Sequence, residues 1–418
     1  MNVAAGEIDD DVIDWRFKGF PAAAEGMAVS RFVSGRPSLF EAGFAWPMMA
    51  LRASAVDNNV RALARWCSAS GISLAPHGKT TMAPALFARQ LAAGAWAMTA
   101  ATPWQARVYA EFGAPRVLLA NELTDTAFVS WLVGRLADPA FEFFCYVDSV
   151  AGVERIGIAA AGTSRPVRVL VELGLPGGRT GARSHADALD VARATSRFAS
   201  LGLVGVAGYE GPLGHERDDA TLRAVREYVT SLGDLLRELD AAALLDPAAD
   251  ECLLSCGGSG HVDVVTAALT RPLACSRPVR PVLRAGSYIT HDNGLYARTS
   301  SLAGELVAAI EVWCQVWSRP EPGLALLGGG RRDLPFDAGL PVPLLRRSAT
   351  GQITPLAAKV AALNDQHAFL DVETTEPLEV GDLVCLGISH PCTAHDKWQL
   401  VPLVDDDRRI VDCIRSYF

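Results

Sequence analysis

The chain has 418 residues, of which half are hydrophobic and a fifth are charged, a composition typical of a globular protein with two domains or one large barrel. Its net charge of −9 disfavours nucleic acid and anionic membranes as partners. No apolar run is long enough to cross a membrane, and the acidic N-terminal segment lacks the basic start and apolar stretch of a signal peptide.

Eight short apolar runs alternate with helix-like segments through the middle of the chain. A helix is predicted first, at Ser54–Ser70, because Val56, Val60 and Leu63 repeat at helical spacing. The runs that follow are Ile72–Ala75, Ala95–Ala100, Val117–Ala120, Phe141–Val147, Val167–Leu173, Leu203–Gly208, Cys252–Ser255 and Val282–Arg284. Buried strands that alternate with helices form a parallel sheet, and eight such units over about 250 residues match a closed (β/α)8 barrel.

The alternative for this pattern is an open, doubly wound sheet. The barrel is favoured because no GxGxxG motif follows the first run and because the runs stop at eight. We therefore predict an α/β protein in which a TIM-like (β/α)8 barrel spans residues 38–295.

The pattern changes after residue 295, where short apolar segments are separated by Gly, Pro and Asp. Five of these segments are predicted strands, at Leu324–Leu327, Lys359–Leu363, His367–Val372, Leu383–Ile388 and Arg409–Ile414. An alternating stretch, Leu302–Trp317, precedes them. We predict an antiparallel β domain formed by residues 296–418 together with residues 1–37.

Polar residues follow seven of the eight apolar runs. In a (β/α)8 barrel the active site lies at the carboxyl ends of the strands, so these residues are expected to meet. In chain order they are Pro76-His77-Gly78-Lys79-Thr80, Asn121-Glu122, Asp148, Glu172 with Gly177-Gly178-Arg179-Thr180-Gly181, Tyr209-Glu210-Gly211, Cys256-Gly257-Gly258-Ser259-Gly260, and Tyr288 with His291 and Asp292.

Two of these positions together indicate a cofactor. A lysine such as Lys79, desolvated directly after a buried strand, loses its proton readily and can attack an aldehyde; an ion pair with Glu172 or Glu122 is the structural alternative. The turn Gly257–Gly260 can bring backbone N–H groups and the Ser259 hydroxyl to a phosphate, although a plain tight turn would use the same glycines. A lysine and a phosphate site at one barrel end are what pyridoxal 5′-phosphate (PLP) requires.

A second pair of chemically active residues lies in the β domain. His390 and Cys392 are two residues apart, so on an extended segment their side chains point the same way. Imidazole and thiolate bind soft divalent ions such as zinc, and His395 and Asp396 are close enough in sequence to add ligands. The alternative is a turn with a buried histidine and a structural cysteine. A closed zinc site needs four ligands, so two would leave positions for water or substrate.

Five motifs occur together: Pro76-His77-Gly78-Lys79-Thr80, Ala120-Asn121-Glu122, Gly178-Arg179-Thr180-Gly181, Gly257-Gly258-Ser259 and His390-Pro391-Cys392. In this order they resemble the D-threonine aldolase and D-serine dehydratase family of fold-type III PLP enzymes, and most of all its members described as amino acid deaminases. The resemblance covers nearly the whole chain, from about residue 35 to the end. It implies an alanine-racemase-like barrel plus a β domain, and a head-to-tail homodimer with sites at the interface.

The resemblance also implies roles for individual residues. Lys79 would bind PLP as a Schiff base, and His390 and Cys392 would bind a divalent metal, zinc or manganese, beside it. The predicted cofactor-binding residues are Lys79, Arg179, Tyr209, Gly257, Gly258, Ser259 and, from its position after the eighth run, Tyr288. The predicted catalytic residues are Lys79 and His77. The partner of the pyridine nitrogen stays open among Arg179, Glu172 and Tyr209.

The residue at position 392 favours one reaction. Aldolases of this family tend to have Asp there and dehydratases have Cys, so Cys392 favours β-elimination. We expect a β-hydroxy D-amino acid such as D-serine or D-threonine to yield a 2-keto acid and ammonia. The alternatives are an aldolase that releases glycine and an aldehyde, a racemase with a second base, and a non-catalytic PLP carrier. Segments around His215 and Thr393–Trp398 depart from the better-known members.

The nine cysteines bear on the compartment. They are scattered, odd in number and form no CxxC motif, and most lie in apolar runs where reduced, buried thiols are expected. A reducing compartment fits this usage better than a disulfide framework. We therefore expect a cytoplasmic protein.

Overall fold

The computed structural model describes residues 11–418, which form a parallel eight-stranded barrel and a mainly antiparallel ten-stranded sheet. The predicted fold class is confirmed. The first ten residues of the segment 1–37, predicted as part of the β domain, lie outside the described residues. The described chain begins with α1 (Val29–Ser34) and β1 (Met48–Arg52).

The barrel accounts for all eight apolar runs, each of which overlaps one strand. The strands are β2 (Ser73–Leu74), β3 (Met98–Ala100), β4 (Arg116–Glu122), β5 (Glu142–Val147), β6 (Val167–Leu173), β7 (Leu201–Gly208), β8 (Cys252–Cys256) and β9 (Val279–Leu283). They pair in the order β2-β9-β8-β7-β6-β5-β4-β3. His77 bridges Thr99, and Thr99 Oγ1 donates to the Ala75 carbonyl at 2.6 Å, so the first and last strands of this path also meet.

The helix α2 (Ala53–Ala69) leads from β1 into the barrel, and α10 (Leu295–Thr299) follows its last strand. The helices that connect barrel strands are α3 (Pro84–Ala92), α4 (Pro103–Glu111), α5 (Thr126–Arg135), α6 (Val150–Ala159), α7 (His185–Thr195), α8 (Asp219–Ala241) and α9 (Val262–Leu269). Several begin at a capping side chain. Asp125 accepts hydrogen bonds from the N–H groups of Ala127 and Phe128, and Asp218 caps α8 in the same way. Such a cap contributes about 1 kcal/mol. Within residues 11–418 no helix combines the length and apolarity needed to span a bilayer.

The second sheet is built by β1 and the C-terminal part of the chain. Its further strands are β10 (Ile310–Glu321), β11 (Leu324–Gly328), β12 (Val342–Arg347), β13 (Ile353–Pro355), β14 (Ala358–Leu363), β15 (His367–Val372), β16 (Leu383–Gly387), β17 (Leu400–Val404) and β18 (Ile410–Arg415). The main path runs β13-β12-β16-β10-β1-β17-β18, and β11 leaves β10 to pair with β15, which pairs with β14. The five strands predicted after residue 320 are all present.

The strand β1 lies on the other side of the predicted domain boundary. It pairs with β10, where Met48 opposes Trp313, and with β17, where Leu51 opposes Leu403. It is therefore part of the β domain, although residues 38–295 were predicted as barrel. A central strand is covered on both faces and becomes a continuous apolar run like a barrel strand, so composition could not separate the two.

The two domains meet at the carboxyl ends of the barrel strands. The segment that follows β16 crosses the barrel mouth, where the N–H of Asn293 donates to Ile388 at 2.9 Å and the N–H of Leu295 donates to Ser389 at 2.8 Å. This segment carries His390 and Cys392 to the barrel end at which the polar residues of the strands converge.

Candidate active site

A cavity of about 670 Å³ lies where the barrel mouth meets the β domain. Nine of the ten predicted site residues line it, namely His77, Lys79, Arg179, Tyr209, Gly257, Gly258, Ser259, His390 and Cys392. His215, in the segment that departs from the family pattern, lines it as well. Residues as far apart in sequence as His77 and Cys392 therefore share one chamber.

Tyr288 is the predicted residue that does not line this cavity. Its side chain is 3% exposed, and its hydroxyl accepts a hydrogen bond from Gln90 Nε2 at 2.9 Å. It lies in the short turn Ser287–Ile289, which directs Ser287 to the cavity and Tyr288 into the core beside α2. The prediction of a cofactor contact for Tyr288 is corrected accordingly.

Lys79 is presented by a 3-10 turn, Gly78–Thr80, that follows β2. The turn packs tightly, because a Cβ atom at Gly78 would come within 2.7 Å of the Tyr109 hydroxyl. The side chain of Lys79 is partly buried, and within residues 11–418 no ion pair joins it to Glu122. No ion pair joins Lys79 to Glu172 either, so its amine is free to face the cavity.

His77 is held as a neutral imidazole beside Lys79. Burial lowers the pKa of His77 well below its usual value, and the positive charges of Lys79, Arg284 and Arg179 lower it further. Its Nδ1 is buried without a partner in the described part of the chain. A neutral imidazole at this place can donate or accept a proton, or orient a ligand by a hydrogen bond.

Four buried polar atoms along the cavity have no hydrogen-bond partner within residues 11–418: His77 Nδ1, Tyr146 Oη, Glu172 Oε2 and Arg284 Nε. Each such atom costs roughly 1–3 kcal/mol when it stays unsatisfied. Four of them around one chamber indicate a polar ligand that completes their hydrogen bonds. The ring nitrogen and ring hydroxyl of PLP are groups of this kind, so these residues fit the cofactor.

Two glutamates beside this chamber share their ionisation. Burial raises the pKa of Glu122 to about 8, and the negative charge of Glu172, a hydrogen bond with it and the charge of Asp148 contribute in the same direction. Two carboxylates in one buried place cannot both ionise at low cost, so the pair holds a proton at neutral pH. Glu172, which lines the cavity, is thereby paired with a protonated neighbour.

Arg179 covers Tyr209 at the opposite wall. The centre of its guanidinium lies 4.6 Å from the centre of the Tyr209 ring, in a cation–π contact. Two hydrogen bonds hold the glycine-rich loop that carries Arg179. Asp148 Oδ2 accepts from the N–H of Gly181 at 3.1 Å, and Arg183 donates to the Gly181 carbonyl at 2.7 Å. This wall presents one cation and one aromatic ring to a ligand.

The glycine turn after β8 is supported by Glu210. Gly257 has φ of +106°, and a Cβ atom there would lie 2.5 Å from the Leu283 side chain, so only glycine fits. The N–H of Gly258 donates to Glu210 Oε1 at 2.7 Å. That N–H group is therefore engaged in the turn itself, and a phosphate would be left to Gly257, Ser259 and the backbone that leads into α9.

His390 and Cys392 line the cavity from the β-domain side. His390 Nδ1 lies 2.6 Å from Asp337 Oδ2, and Cys392 Sγ lies 3.4 Å from Ser287 Oγ and 3.6 Å from Thr80 Oγ1. Burial opposes ionisation of Cys392, but the hydrogen bond and charge of His390 and the two hydroxyls lower the pKa of the thiol overall. An imidazole beside a stabilised thiolate fits a zinc-like ion.

The site offers two protein ligands for such an ion. In residues 11–418 no group of three or more His, Cys, Asp or Glu side chains is placed to hold a metal. His395 is buried behind the site, where burial lowers its pKa to about 4, and the exposed Asp396 lies 3.4 Å from Lys397. The prediction that these two residues could add ligands is wrong, because the turn after Cys392 carries them away from the cavity.

Among the cavity residues that were not singled out from the sequence are Tyr146, Arg284, Tyr296 and Asp337. The signal for Arg284 was present, because a charged residue ends the eighth apolar run. Its guanidinium donates to Ser255 Oγ at 2.7 Å and to the Gly208 carbonyl at 2.6 Å, which explains how its charge is buried. The other three lie in an apolar run or in segments whose fold no local pattern revealed.

The fold is that of the alanine-racemase-like proteins, and the side chains of the cavity fit PLP. The serine dehydratase domain (D-ser_dehydrat) matches residues 309–404, the part that carries His390 and Cys392. The D-threonine aldolase of Arthrobacter sp. is 25% identical over 350 residues, which are 82% of this chain and 85% of that protein. These matches confirm the resemblance to the D-threonine aldolases and to the D-serine dehydratases.

Solved structures agree on the fold. The D-threonine aldolase from Filomicrobium marinum superposes with a TM-score of 0.75 at 22% identity, over 89% of this chain and 95% of that one. A cysteine-to-alanine mutant of D-threo-3-hydroxyaspartate dehydratase, in a metal-free form, superposes with a TM-score of 0.72 at 19% identity, over 90% and 98% of the two chains. Both aldolases and dehydratases therefore share this architecture.

Proposed function

We propose that this protein is a metal-assisted D-amino acid dehydratase. It would remove water from a β-hydroxy D-amino acid such as D-serine or D-threonine, and the products would be a 2-keto acid and ammonia. The proposal rests on one observation: the two candidate metal ligands, Cys392 and His390, line the same cavity as Lys79. PLP, when bound, supplies an electron sink for the charge that develops at Cα.

The chain's own residues divide the remaining work. Lys79 Nζ, which forms no ion pair within residues 11–418, takes the proton from Cα of the substrate. His77, kept neutral by burial and by nearby cations, stands within the same chamber to orient ligand or pass a proton. Arg179 presents the cationic wall that an anionic group requires. The segment of the β domain that crosses the barrel mouth limits the access of bulk water to these groups.

A divalent ion at His390 and Cys392 would act as a Lewis acid toward the β-hydroxyl. Two protein ligands leave positions open, as a catalytic site needs. The metal-free cysteine mutant among the structural neighbours supports a link between a cysteine and a metal in this family. Zinc suits a thiolate ligand best, and manganese is the second candidate.

The products distinguish this proposal from the aldolase reaction, which the 25% identical D-threonine aldolase supports as a second candidate. The metal-loaded protein is mixed with D-serine, D-threonine and their L-isomers, and ammonia and glycine are assayed in parallel. Ammonia from the D-isomers alone, lost on chelation, is the expected result. Glycine with an aldehyde would assign the protein to the aldolases instead. Activity that survives complete chelation, or that racemises the substrate, would contradict the proposal.

The compartment and the assembly stay predictions. All nine cysteines are unpaired in the structure, which supports the expected reducing, cytoplasmic environment. The homodimer is implied by the family resemblance, and its test is the mass of the holoenzyme in solution.

A further inference from the structure

The loop between β11 and β12 places Asp337 against His390, one of the two candidate metal ligands. Asp337 Oδ2 lies 2.6 Å from His390 Nδ1, and its other oxygen, Oδ1, accepts from Thr393 Oγ1 at 2.9 Å. Ser389 Oγ donates to the Gly339 carbonyl at 2.6 Å and joins the same loop to the same segment. The carboxylate is thus held from both sides, in one orientation toward the His390 ring.

This contact occupies Nδ1 of His390 and leaves Nε2 for a metal ion. In a neutral, metal-binding ring, a carboxylate at Nδ1 keeps the proton on that nitrogen, and the lone pair lies on Nε2. The His390 ring has two hydrogen-bond partners, Cys392 and Asp337. Because Asp337 occupies Nδ1, Nε2 is the nitrogen that is left for Cys392. A metal at Nε2 and Cys392 Sγ would lie on the cavity side, with Asp337 behind the ring.

We propose that Asp337 is a positioning residue of the metal site: it fixes the tautomer and orientation of His390 so that Nε2 and Cys392 Sγ converge on one ion. The inference rests on the proposed function, because it requires metal at these two ligands. A carboxylate behind a ligating histidine fixes the ring and increases its basicity, and its loss weakens metal binding roughly 10- to 100-fold.

The exposure of Asp337 argues against a purely structural role. Its side chain is 42% exposed, while that of His390 is 15% exposed. An ion pair at such a place contributes little to folding stability. The two hydrogen bonds to Asp337 therefore order the site more than they stabilise the chain.

The test measures zinc affinity of the PLP-loaded full chain by competition with a coloured chelator. The variants are Asp337→Asn, which keeps an acceptor but loses the charge, and Asp337→Ala, which loses both. We expect zinc affinity to fall in the order wild type, Asp337→Asn, Asp337→Ala, with a loss of roughly 10- to 100-fold for alanine. Asp365→Asn, an exposed aspartate of the same domain 3.5 Å from Arg332, is the matched control and is expected to match wild type.

Cobalt separates positioning from damage to the ligands. At saturating cobalt the Asp337 variants should regain the thiolate-to-metal absorption of Cys392, and their cofactor absorbance should equal that of wild type. Unchanged zinc affinity in Asp337→Ala, with wild-type binding that depends on His390, would overturn the inference and leave the proposed function in place. If wild type and His390→Ala bind zinc equally, or not at all, both the inference and the metal-assisted function fail.

Discussion

Thr80 Oγ1 lies 3.6 Å from Cys392 Sγ, so the residue after Lys79, the proposed cofactor lysine of the barrel, contacts the candidate metal ligand of the β domain. Thr80 is 1% exposed, and it shares the thiol with Ser287 Oγ, which lies 3.4 Å away. Two barrel hydroxyls thus fix a cysteine that arrives on another domain. The two chemical centres of the site are coupled through this contact.

The first prediction tests that coupling with Thr80→Val, which keeps the shape of the side chain and removes its hydroxyl. Loss of one hydrogen bond to the thiolate costs about 1 kcal/mol, so metal affinity should fall roughly fivefold. Cofactor content should stay at the wild-type level, since Lys79 is unaltered. Thr350→Val, at an exposed turn, is the control. Equal zinc affinity in Thr80→Val and wild type would show that the contact does not act on the thiolate.

Cys392→Ala should lose bound metal and keep bound cofactor. A Lewis acid contributes several kcal/mol to departure of a hydroxyl group, so elimination should fall by roughly 100-fold or more. The measurements are metal content by elemental analysis, cofactor absorbance and ammonia release. Cys275→Ala, a half-exposed thiol outside the cavity, should behave as wild type. A fully active, metal-free Cys392→Ala protein would remove the metal from the mechanism.

Lys79→Ala should abolish turnover and the visible absorbance of the cofactor while the fold stays intact. The lysine is both the attachment point and the base, so activity should drop by at least roughly a thousandfold. Circular dichroism checks the fold, and Lys359→Ala, an exposed lysine on β14, controls for loss of a positive charge. Retained activity in Lys79→Ala would refute the assignment of the cofactor lysine.

Much of this architecture could be predicted because each barrel strand is a local apolar run in the sequence. The active site of such a barrel lies at the carboxyl ends of the strands, whatever the individual side chains are. That rule alone predicts that Lys79, Arg179 and the glycine turn lie in one chamber, as they do. β1 could not be assigned, since its partners β10 and β17 lie more than two hundred residues away. Burial on both faces gave it the composition of a barrel strand.

Most of the site residues that were predicted wrongly or missed lie in turns and loops, where no periodic pattern tells which side chain faces the cavity. Whether Ser287 or Tyr288 faces the cavity depends on the rotation of a single 3-10 turn, which residue type does not determine. Asp337 lies 53 positions from His390, in a loop with no periodic pattern, so only the fold could bring them together. Closeness in sequence wrongly suggested His395 and Asp396 as further metal ligands, because the chain turns away from the cavity after Cys392.

Gly257→Ala should weaken cofactor binding and lower stability. The backbone at this position has φ of +106°, and a Cβ atom would meet Leu283 Cδ1 at 2.5 Å, so strain of about 1–3 kcal/mol is expected along with a displaced turn. Gly260→Ala is the matched control, since a Cβ atom there meets nothing within 4 Å. The measurements are PLP affinity by titration and the midpoint of thermal unfolding. Equal losses in both variants would contradict a specific role for the turn at Gly257.

The last prediction concerns the glutamate pair. The pKa of Glu122 is about 8 in the folded protein because of burial and the charge of Glu172, against an ordinary value of 4.5. The folded chain therefore holds a proton that the unfolded chain releases between these two pH values. The contribution of this group to stability is fully present below about pH 4.5 and is lost as pH rises toward 8, by up to about 1.4 kcal/mol per pH unit.

Glu122→Gln removes this titration and keeps the size of the side chain. The free energy of unfolding of the variant, measured by chemical denaturation from pH 5 to pH 8, should decline less steeply than that of wild type, and the variant should gain most at the alkaline end. Glu154→Gln, an exposed carboxylate on α6, should leave the wild-type slope unchanged. Parallel slopes for wild type and Glu122→Gln would mean that Glu122 ionises normally in the folded chain and that the shared proton does not exist.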